Sequence, residues 1–288
     1  KLFVTWFHFY LGSMMQDYIR ATEELWQIRD SLNARNDEYL NAKKIIDEII
    51  FLLGEGKIVV CEKNKDQWYV NEWVKKAILL NFKVSEMKLY DGNCMKWYDK
   101  VDPQFLNFSQ DSFEKKGCRI VPGAFIRQGA YIGKNAVVRP SFINIGAHVG
   151  SSTRVDSWAT VGSCAYIGNN CHISSGAGIG GVLEPLQAKP VIIEDNCFVG
   201  AGSQIVEGMI VEEGAVISTG VFIGASTKIV DRNNGDIIYG RIPAYSVVVP
   251  GVLPSSKKDL PGVYCAVIVK QVDKKTREKT SLNELLRD

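Results

Sequence analysis

Several features that mark other classes of protein are missing from this sequence. It contains no run of about 18 apolar residues, which excludes a transmembrane helix. The seven cysteines are odd in number and no two of them form a C-x-x-C pair, so neither a disulfide framework nor a zinc site is indicated. Because free thiols fit a reducing compartment, we expect a cytoplasmic protein with no membrane partner.

A strong charge of either sign is also missing. Lys and Arg number 34 against 32 Asp and Glu, which gives no broad positive field and argues against a nucleic-acid partner. The surplus is local, since 11 basic and 7 acidic residues follow from Lys228 to the end of the sequence. An anionic ligand is therefore best sought in this C-terminal fifth.

The opening segment differs from the rest of the chain. Residues 1–13, KLFVTWFHFYLGS, are apolar and aromatic, lack a small-residue cleavage site and stand directly before Met14 and Met15. A signal peptide has a different pattern. We expect a leader foreign to the native chain, in which His8 has no functional role; the alternative is a genuine N-terminal interaction segment.

The next segment predicts a small α-rich domain over residues 14–118. Two apolar stripes have helical spacing, and they consist of Tyr18, Leu25, Ile28 and Leu32, and of Ile45, Ile49 and Leu53. Gly54 is a suitable C-terminal stop for the second helix. A short strand over Ile58–Cys61 and a third helix over Glu72–Leu80 complete this expectation.

The middle of the chain carries a six-residue repeat. Aliphatic residues recur at this period, with one break of a residue before Ile143 and a longer one before Ile193: Ile120, Ile126, Ile132, Val138, Ile143, Val149, Val155, Val161, Ile167, Ile173, Ile179, Ile193, Val199, Ile205, Val211, Ile217, Ile223 and Ile229. Four positions after most of them the side chain is small, as at Ala130, Ala159 and Ala215. This pattern predicts a parallel β-helix over residues 119–232, in which each unit forms one side of a triangular coil.

A prism of this kind has a filled interior, so a site must lie on its surface or between neighbouring prisms. The largest break in the repeat lies between Ile179 and Ile193, where fourteen residues replace the twelve of two units. Its segment Gly180–Val191, GGVLEPLQAKPV, is either a plain surface loop or a loop that covers an acyl-donor groove, and we favour the second.

The remaining residues, 233–288, have no repeat and predict a small strand and helix segment. Tyr264–Lys270 alternates like a strand, and Asp273–Lys275 has the composition of a turn. Ser281 and Glu284 have the spacing of a capping box that opens a short helix.

Seven segments together resemble the tetrahydrodipicolinate N-succinyltransferase family. They are VDSWATVGSCA (155–165), GIGGVLEPLQA (178–188), IIEDNCFVGA (192–201), VEGMIVEEGAVIS (206–218), STKIVDR (226–232), YGRIPA (239–244) and YCAVIVKQVDKKTR (264–277). The resemblance implies a left-handed β-helix and a homotrimer with active sites between subunits. It also implies succinyl transfer from succinyl-CoA, a cosubstrate rather than a bound cofactor, to the amine of tetrahydrodipicolinate in lysine and diaminopimelate synthesis.

Two positions carry the family's substrate chemistry. Arg119, in GCRIVP, matches the arginine that binds a substrate carboxylate, for which a guanidinium fork is suited. Asp156, in RVDSWA, matches the aspartate near the reacting amine, where it orients the amine or takes its proton. Without the resemblance, a surface ion pair and a turn-capping carboxylate are the ordinary interpretations.

One position departs from the family. Members commonly read ARSE where this chain reads Ala201-Gly202-Ser203-Gln204, and Gln204 cannot act as a base in place of the family's glutamate. This leaves Asp156 as the stronger candidate for the base. Glu207 is not a substitute, because it lies on a different part of the coil.

For coenzyme A, the resemblance directs attention to exposed backbone groups and to basic side chains. The candidates for the pantetheine are Gly180, Ala201 and Ser218, and those for the phosphates are Lys228, Arg232 and Arg241. Each basic residue, taken singly, has a solvated surface charge as its ordinary interpretation.

The repeat alone allows other functions. A γ-class carbonic anhydrase needs three zinc-binding histidines, but the prism contains only His148 and His172, so we predict no metal site. A sugar or serine acetyltransferase with His172 as its catalytic histidine stays open, although we interpret His172 as a corner residue. A β-helix scaffold or a catalytically impaired homologue is the third alternative, because of Gln204.

Overall fold

The computed structural model describes residues 2–32, 37–92, 96–255, 257, 259–279 and 282–286, with side chains from Met14 to Arg277 and from Glu284 to Leu286 within these ranges. The predicted capping box falls partly outside them, because Ser281 is not described. Among the described residues, no helix is both long and apolar enough to cross a membrane.

The N-terminal domain consists of helices and two β-hairpins. Its helices are α1 (Leu2–Gln27), α2 (Asp37–Gly54), α3 (Glu72–Val84) and α4 (Gln110–Lys116), and its strands are β1 (Cys61–Asn64), β2 (Gln67–Val70), β3 (Lys88–Asp91) and β4 (Lys96–Asp99). Most residues of the predicted leader, 2–13, lie within α1. The helix end at Gly54 is confirmed, whereas the strand predicted over Ile58–Cys61 is wrong, since β1 begins at Cys61.

Tertiary packing of this domain follows the predicted stripes. Tyr18, Leu25, Ile49 and Leu53 are buried in one apolar cluster. The same cluster includes Ile192 of the repeat region, so the helical domain packs directly on one side of the β-helix. Neither hairpin was predicted, because four-residue strands with alternating exposure carry little periodic signal.

The β-helix is built from two-residue strands that are joined by tight corners. These strands are β5 (Arg119–Ile120), β6 (Phe125–Ile126), β7 (Tyr131–Ile132), β8 (Val137–Val138), β9 (Phe142–Ile143), β10 (His148–Val149), β11 (Arg154–Val155), β12 (Thr160–Val161), β13 (Tyr166–Ile167), β14 (His172–Ile173), β15 (Gly178–Ile179), β16 (Ile192–Ile193), β17 (Phe198–Val199), β18 (Gln204–Ile205), β19 (Ile210–Val211), β20 (Val216–Ile217) and β21 (Phe222–Ile223). Every third strand stacks in parallel register, which gives a prism with three flat faces.

We number these faces by their strands. Face 1 contains β5, β8, β11, β14, β17 and β20; face 2 contains β6, β9, β12, β15, β18 and β21; face 3 contains β7, β10, β13, β16 and β19. The predicted aliphatic residues from Ile126 to Ile229 all point inward and are buried. At about 1.5–3 kcal/mol for each fully buried aliphatic side chain, this column is the main apolar contribution to folding of the prism.

The structure corrects the predicted repeat at two places, the loop before Ile193 and the end of the coil at Ile229. Ile179 and Ile193 lie on consecutive sides of one coil, because β16 stacks on β13. The loop therefore adds eight residues to a single six-residue unit, whereas the sequence predicts two residues added to a pair of units. Ile229 is buried but does not continue the coil. Instead β24 (Arg241–Ile242) stacks on β19, and β25 (Ser246–Leu253) stacks on β20. The coil thus extends beyond the boundary predicted at Arg232.

The remaining elements form a cap on this end of the prism. They are β22 (Ile229–Asp231), β23 (Ile237–Ile238), β26 (Val263–Gln271), α5 (Lys274–Lys279) and α6 (Leu282–Leu285). The strand predicted over Tyr264–Lys270 is confirmed by β26, which joins the sheet of face 1 through β25. The turn predicted over Asp273–Lys275 is wrong, because Asp273 instead accepts a hydrogen bond from the Thr276 amide (2.7 Å) and opens α5.

Candidate active site

Asp156 lies at the corner between faces 1 and 2, directly after β11. Its amide donates to the carbonyl of Ile173 in the next coil (2.9 Å), so its backbone is fixed by the stacking itself. The side chain is 13% exposed and lies between two partners from the adjacent coils. One carboxylate oxygen accepts from the guanidinium of Arg139, and the other is 2.8 Å from Nε2 of His172. The carboxylate is therefore held at a defined position while one edge stays open to solvent.

The prediction that His172 is a corner residue is wrong. This residue lies in β14 on face 1 rather than at a corner, and its ring packs edge-on against Phe198 at 5.2 Å. The sequence does contain a signal for the position of His172. With 18 residues in each coil, His172 stacks directly above Arg154 and lies next to the corner that carries Asp156. With its proton on Nε2, His172 donates to Asp156; in the other tautomer the same nitrogen is a proton acceptor.

Arg119 lies on the same face but not beside Asp156. Its strand β5 is separated from β11 by β8 alone, which corresponds to roughly 10 Å at ~4.8 Å per strand. The residue is exposed, and no described residue forms a hydrogen bond or an ion pair with its guanidinium. Within one chain the two predicted substrate residues thus share a face and leave a gap between them.

Gln204 lies on face 2 and points along its own sheet. Its amide nitrogen is 3.4 Å from the carbonyl of Gly176, and its side-chain oxygen covers Gly178, where a Cβ would meet it at 2.0 Å. No described contact joins it to Asp156. The side chain is therefore accommodated by the glycine beneath it.

The inserted loop borders a groove. A cavity of about 630 Å³ lies between the loop residues Gly180, Val182 and Lys189 and the corner formed by Val206 and Glu207. A second groove of about 740 Å³ shares Lys189 with it and continues beneath the β1–β2 hairpin on face 3. The loop is thus one wall of an extended depression that continues from this corner to the β1–β2 hairpin.

The residues predicted for the pantetheine are divided between two edges. Gly180 lines the groove at the corner of faces 2 and 3, whereas Ala201 and Ser218 lie at the corner of faces 1 and 2. The amides of Gly180 and Ser218 are also used in stacking, on the carbonyls of Ile205 (2.7 Å) and Val248 (2.8 Å). These two amides are therefore not free donors, whereas the part of the prediction that concerns backbone carbonyl groups stays a prediction.

The predicted basic cluster is dispersed as well. Arg241 lies on face 3, where its guanidinium forms an ion pair with Glu212. Lys228 and Arg232 are exposed and flank β22, a strand of the sheet that continues face 1. Three basic residues that are close in sequence thus lie on two sheets, because the chain forms β22 and β23 before β24 returns to face 3.

Similarity to known proteins decides the family. The model of the tetrahydrodipicolinate N-succinyltransferase N-terminal region matches residues 17–84, and hexapeptide-repeat models match 146–181 and 190–225, the latter being the repeat of succinyl-transferases. A 2,3,4,5-tetrahydropyridine-2,6-dicarboxylate N-succinyltransferase of Rickettsia conorii is 61% identical over 274 residues, covering 95% of this chain and 100% of the relative. The chain belongs to the tetrahydrodipicolinate N-succinyltransferase family. Its Methylobacterium relative of the same name is 52% identical over 94% of this chain and 99% of the relative.

Membership confirms the predicted family and its architecture. A solved structure from Campylobacter jejuni, provisionally named a 2,3,4,5-tetrahydropyridine-2-carboxylate N-succinyltransferase, matches with a TM-score of 0.51 over 78% of this chain and 62% of that one. At 17% identity that likeness concerns the fold alone. Together with the repeat models it confirms a left-handed parallel β-helix preceded by a helical domain.

Proposed function

We propose that this chain transfers the succinyl group of succinyl-CoA to the amine of tetrahydrodipicolinate, in its acyclic 2-amino-6-oxopimelate form, in lysine and diaminopimelate synthesis. The observation that carries the proposal is the identity of 61% to a named N-succinyltransferase over that relative's whole length. The active site adds a fixed carboxylate at the position where this family has one.

Asp156 is proposed as the base. The amine nitrogen attacks the thioester carbonyl carbon, a C–N bond forms, and the nitrogen must lose a proton as the C–S bond breaks and the thiolate leaves. A carboxylate within hydrogen-bonding distance of that nitrogen accepts the proton. Arg139 and His172 hold Asp156 from two sides, so its position costs no reorganisation during the reaction.

Arg119 is proposed as the acceptor's carboxylate ligand. Its guanidinium is exposed and has no ion-pair partner among the described residues, which leaves its donors available. The separation of Arg119 from Asp156, with the single strand β8 between their strands, suits a substrate that carries a carboxylate at one end and an amine at the other.

The donor is proposed to lie in the groove bordered by the inserted loop, with Gly180 at its base. Lys189, which is exposed where the two grooves meet, is a better placed partner for a phosphate than Arg241, whose charge is balanced by Glu212. Succinyl-CoA is a cosubstrate in this scheme, and no tightly bound cofactor is needed.

A homotrimer with sites between prisms is proposed because large apolar groups are exposed on face 2 and at the corner that carries Asp156. Trp158 is 78% exposed and has a left-handed backbone (φ 64°), a conformation that costs a side chain of this kind about 1–2 kcal/mol. Phe142 and Phe222 on face 2 are 38% and 54% exposed. Such groups are usual at subunit contacts. We propose the cytoplasm as the place where this assembly acts.

Gln204 supports a second candidate, a homologue with impaired turnover. It occupies the position of the family's glutamate and contacts only its own sheet among the described residues. An amide can orient a substrate but cannot take a proton.

One assay separates these functions. Thiol release is measured with succinyl-CoA and with acetyl-CoA, each with and without a tetrahydrodipicolinate-type acceptor. We expect acceptor-dependent release that is faster with the succinyl donor. Preference for acetyl-CoA would move the chain to an acetyltransferase function, and no release above background would support the impaired homologue. In that last case, Gln204→Glu is expected to raise turnover.

A further inference from the structure

Lys75 is a charged side chain that the proposed reaction does not use, although it is completely buried. It lies in α3 with 0% exposure. Its ammonium donates to the carbonyls of Pro185 (3.2 Å), Leu186 (2.7 Å) and Ala188 (3.0 Å). Among the described residues it has no carboxylate partner, and burial lowers its pKa. Burying an ammonium is costly unless its hydrogens are bonded, and here three loop carbonyls bond them.

The three carbonyls belong to the inserted loop, Gly180–Val191. At its beginning the loop is anchored to the prism, where the Val182 amide donates to the carbonyl of Ser163 (2.9 Å). At its end Val191 is buried in the prism core. Between these anchors, Lys75 of the helical domain holds the carbonyls of Pro185, Leu186 and Ala188, and Ala188 itself lines the groove together with Lys189.

Packing of α3 alone does not require an ammonium at this position. The neighbouring helix residues Val74, Ala77 and Ile78 are fully buried and apolar, and an unbranched apolar side chain at position 75 would fill the same space. Among the described residues, the ammonium of Lys75 donates its hydrogen bonds to the loop alone. Its function must therefore be sought there.

We infer that Lys75 is a positioning residue, which holds the inserted loop in the conformation that forms the wall of the acyl-donor groove. The inference rests on the proposed function, in which this groove receives the donor. A wall that is already ordered before binding spares the donor the entropic cost of ordering it. The helical domain, which carries Lys75, thereby contributes to donor affinity without touching the donor.

The test compares Lys75→Met with wild type and with Lys76→Met. Lys76 lies on the same helix and forms an ion pair with Glu23 (2.6 Å), so its variant removes a charge without affecting the loop. For Lys75→Met we expect the KM for succinyl-CoA to rise ~10- to 100-fold, since hydrogen bonds to a charged group are lost. The KM for the amine acceptor should stay within about twofold, and hydrogen–deuterium exchange of the 180–191 peptide should accelerate. Lys76→Met should change neither.

Two further outcomes keep the inference testable. If Lys75→Met does not fold, Lys75→Arg retains the charge with a different hydrogen-bond geometry, and we expect faster exchange in the loop and a smaller rise in the donor KM. Unchanged loop exchange and an unchanged donor KM in a folded variant would overturn the inference. Failure of wild type to release thiol from any donor would refute the proposed function, whereas the exchange comparison would still decide whether Lys75 orders the loop.

Discussion

Replacement of Asp156 by Asn is the sharpest test of the proposed mechanism. The amide keeps the shape of the carboxylate, so its oxygen can still accept from Arg139 while its NH₂ group donates to Nε2 of His172 in the other tautomer. The variant can thus form the same two hydrogen bonds, and we expect the fold and the midpoint of thermal unfolding to change little. What is lost is the ability to take a proton from the amine.

The expected magnitude follows from that loss. Positioned general bases contribute typically about 10²–10⁴-fold, so kcat should fall by this factor, which corresponds to roughly 3–5 kcal/mol in the activation barrier. The assay is acceptor-dependent thiol release at saturating succinyl-CoA. A matched control is Asp195→Asn, another corner carboxylate, which accepts from the Asn169 amide (2.7 Å) and should affect stability rather than turnover. A kcat for Asp156→Asn within a few-fold of wild type, with the fold intact, would refute the assignment of the base.

Three other perturbations have defined outcomes. Arg119→Ala should raise the KM for the dicarboxylate acceptor at least about tenfold with little effect on the donor KM, as measured by initial rates, and Arg119→Lys should recover part of the loss because it restores charge without the fork. Burial lowers the pKa of His148 from 6.5 to about 4, so folding stability should fall as the pH is lowered from 6.5 towards 4, by up to about 1.4 kcal/mol per pH unit in urea titrations. His148→Phe should keep the stack between Tyr131 and Tyr166 (4.7 and 4.6 Å) and abolish this part of the acid sensitivity, and an unchanged pH dependence would contradict it. Ile167→Ala should destabilise the prism by about 2–5 kcal/mol in the same titrations, because the site is fully buried between stacked coils that cannot collapse onto the cavity; a loss below about 1 kcal/mol would contradict that view.

The period of six was sufficient for the prism because its inward side chains are fixed by backbone stacking alone. Ile173 and Val199, for example, are buried as their positions in the repeat require. The period does not indicate how many six-residue units an interruption of the repeat contains. Spacing alone therefore predicts that the loop before Ile193 spans two units, whereas the pairing of β16 with β13 shows that it lies within one.

The candidate site was predicted less completely than the fold. Asp156 was found through the family motif, but its contact with His172 depends on which side chains of adjacent coils face each other, a relation between residues sixteen positions apart. The sequence groups Lys228, Arg232 and Arg241 near the C-terminal end of the repeat, which is why they are predicted to bind the phosphates of coenzyme A together. In the structure Arg241 and Lys228 lie on different sheets, because β22 and β23 come between them and β24, which contains Arg241, stacks on face 3.

The inserted loop also bears on how such an enzyme can change over time. β16 pairs with β13 in the same register as every other pair on face 3, as though the eight additional residues were not there. The loop can consequently be lengthened or shortened, and its residues exchanged, without a change in the strand pairing of the coil. If this loop borders the donor groove as proposed, selection for a different acyl donor can act on a short stretch of the gene, while Arg119 and Asp156, the residues proposed to bind the amine substrate, are encoded elsewhere and stay unchanged.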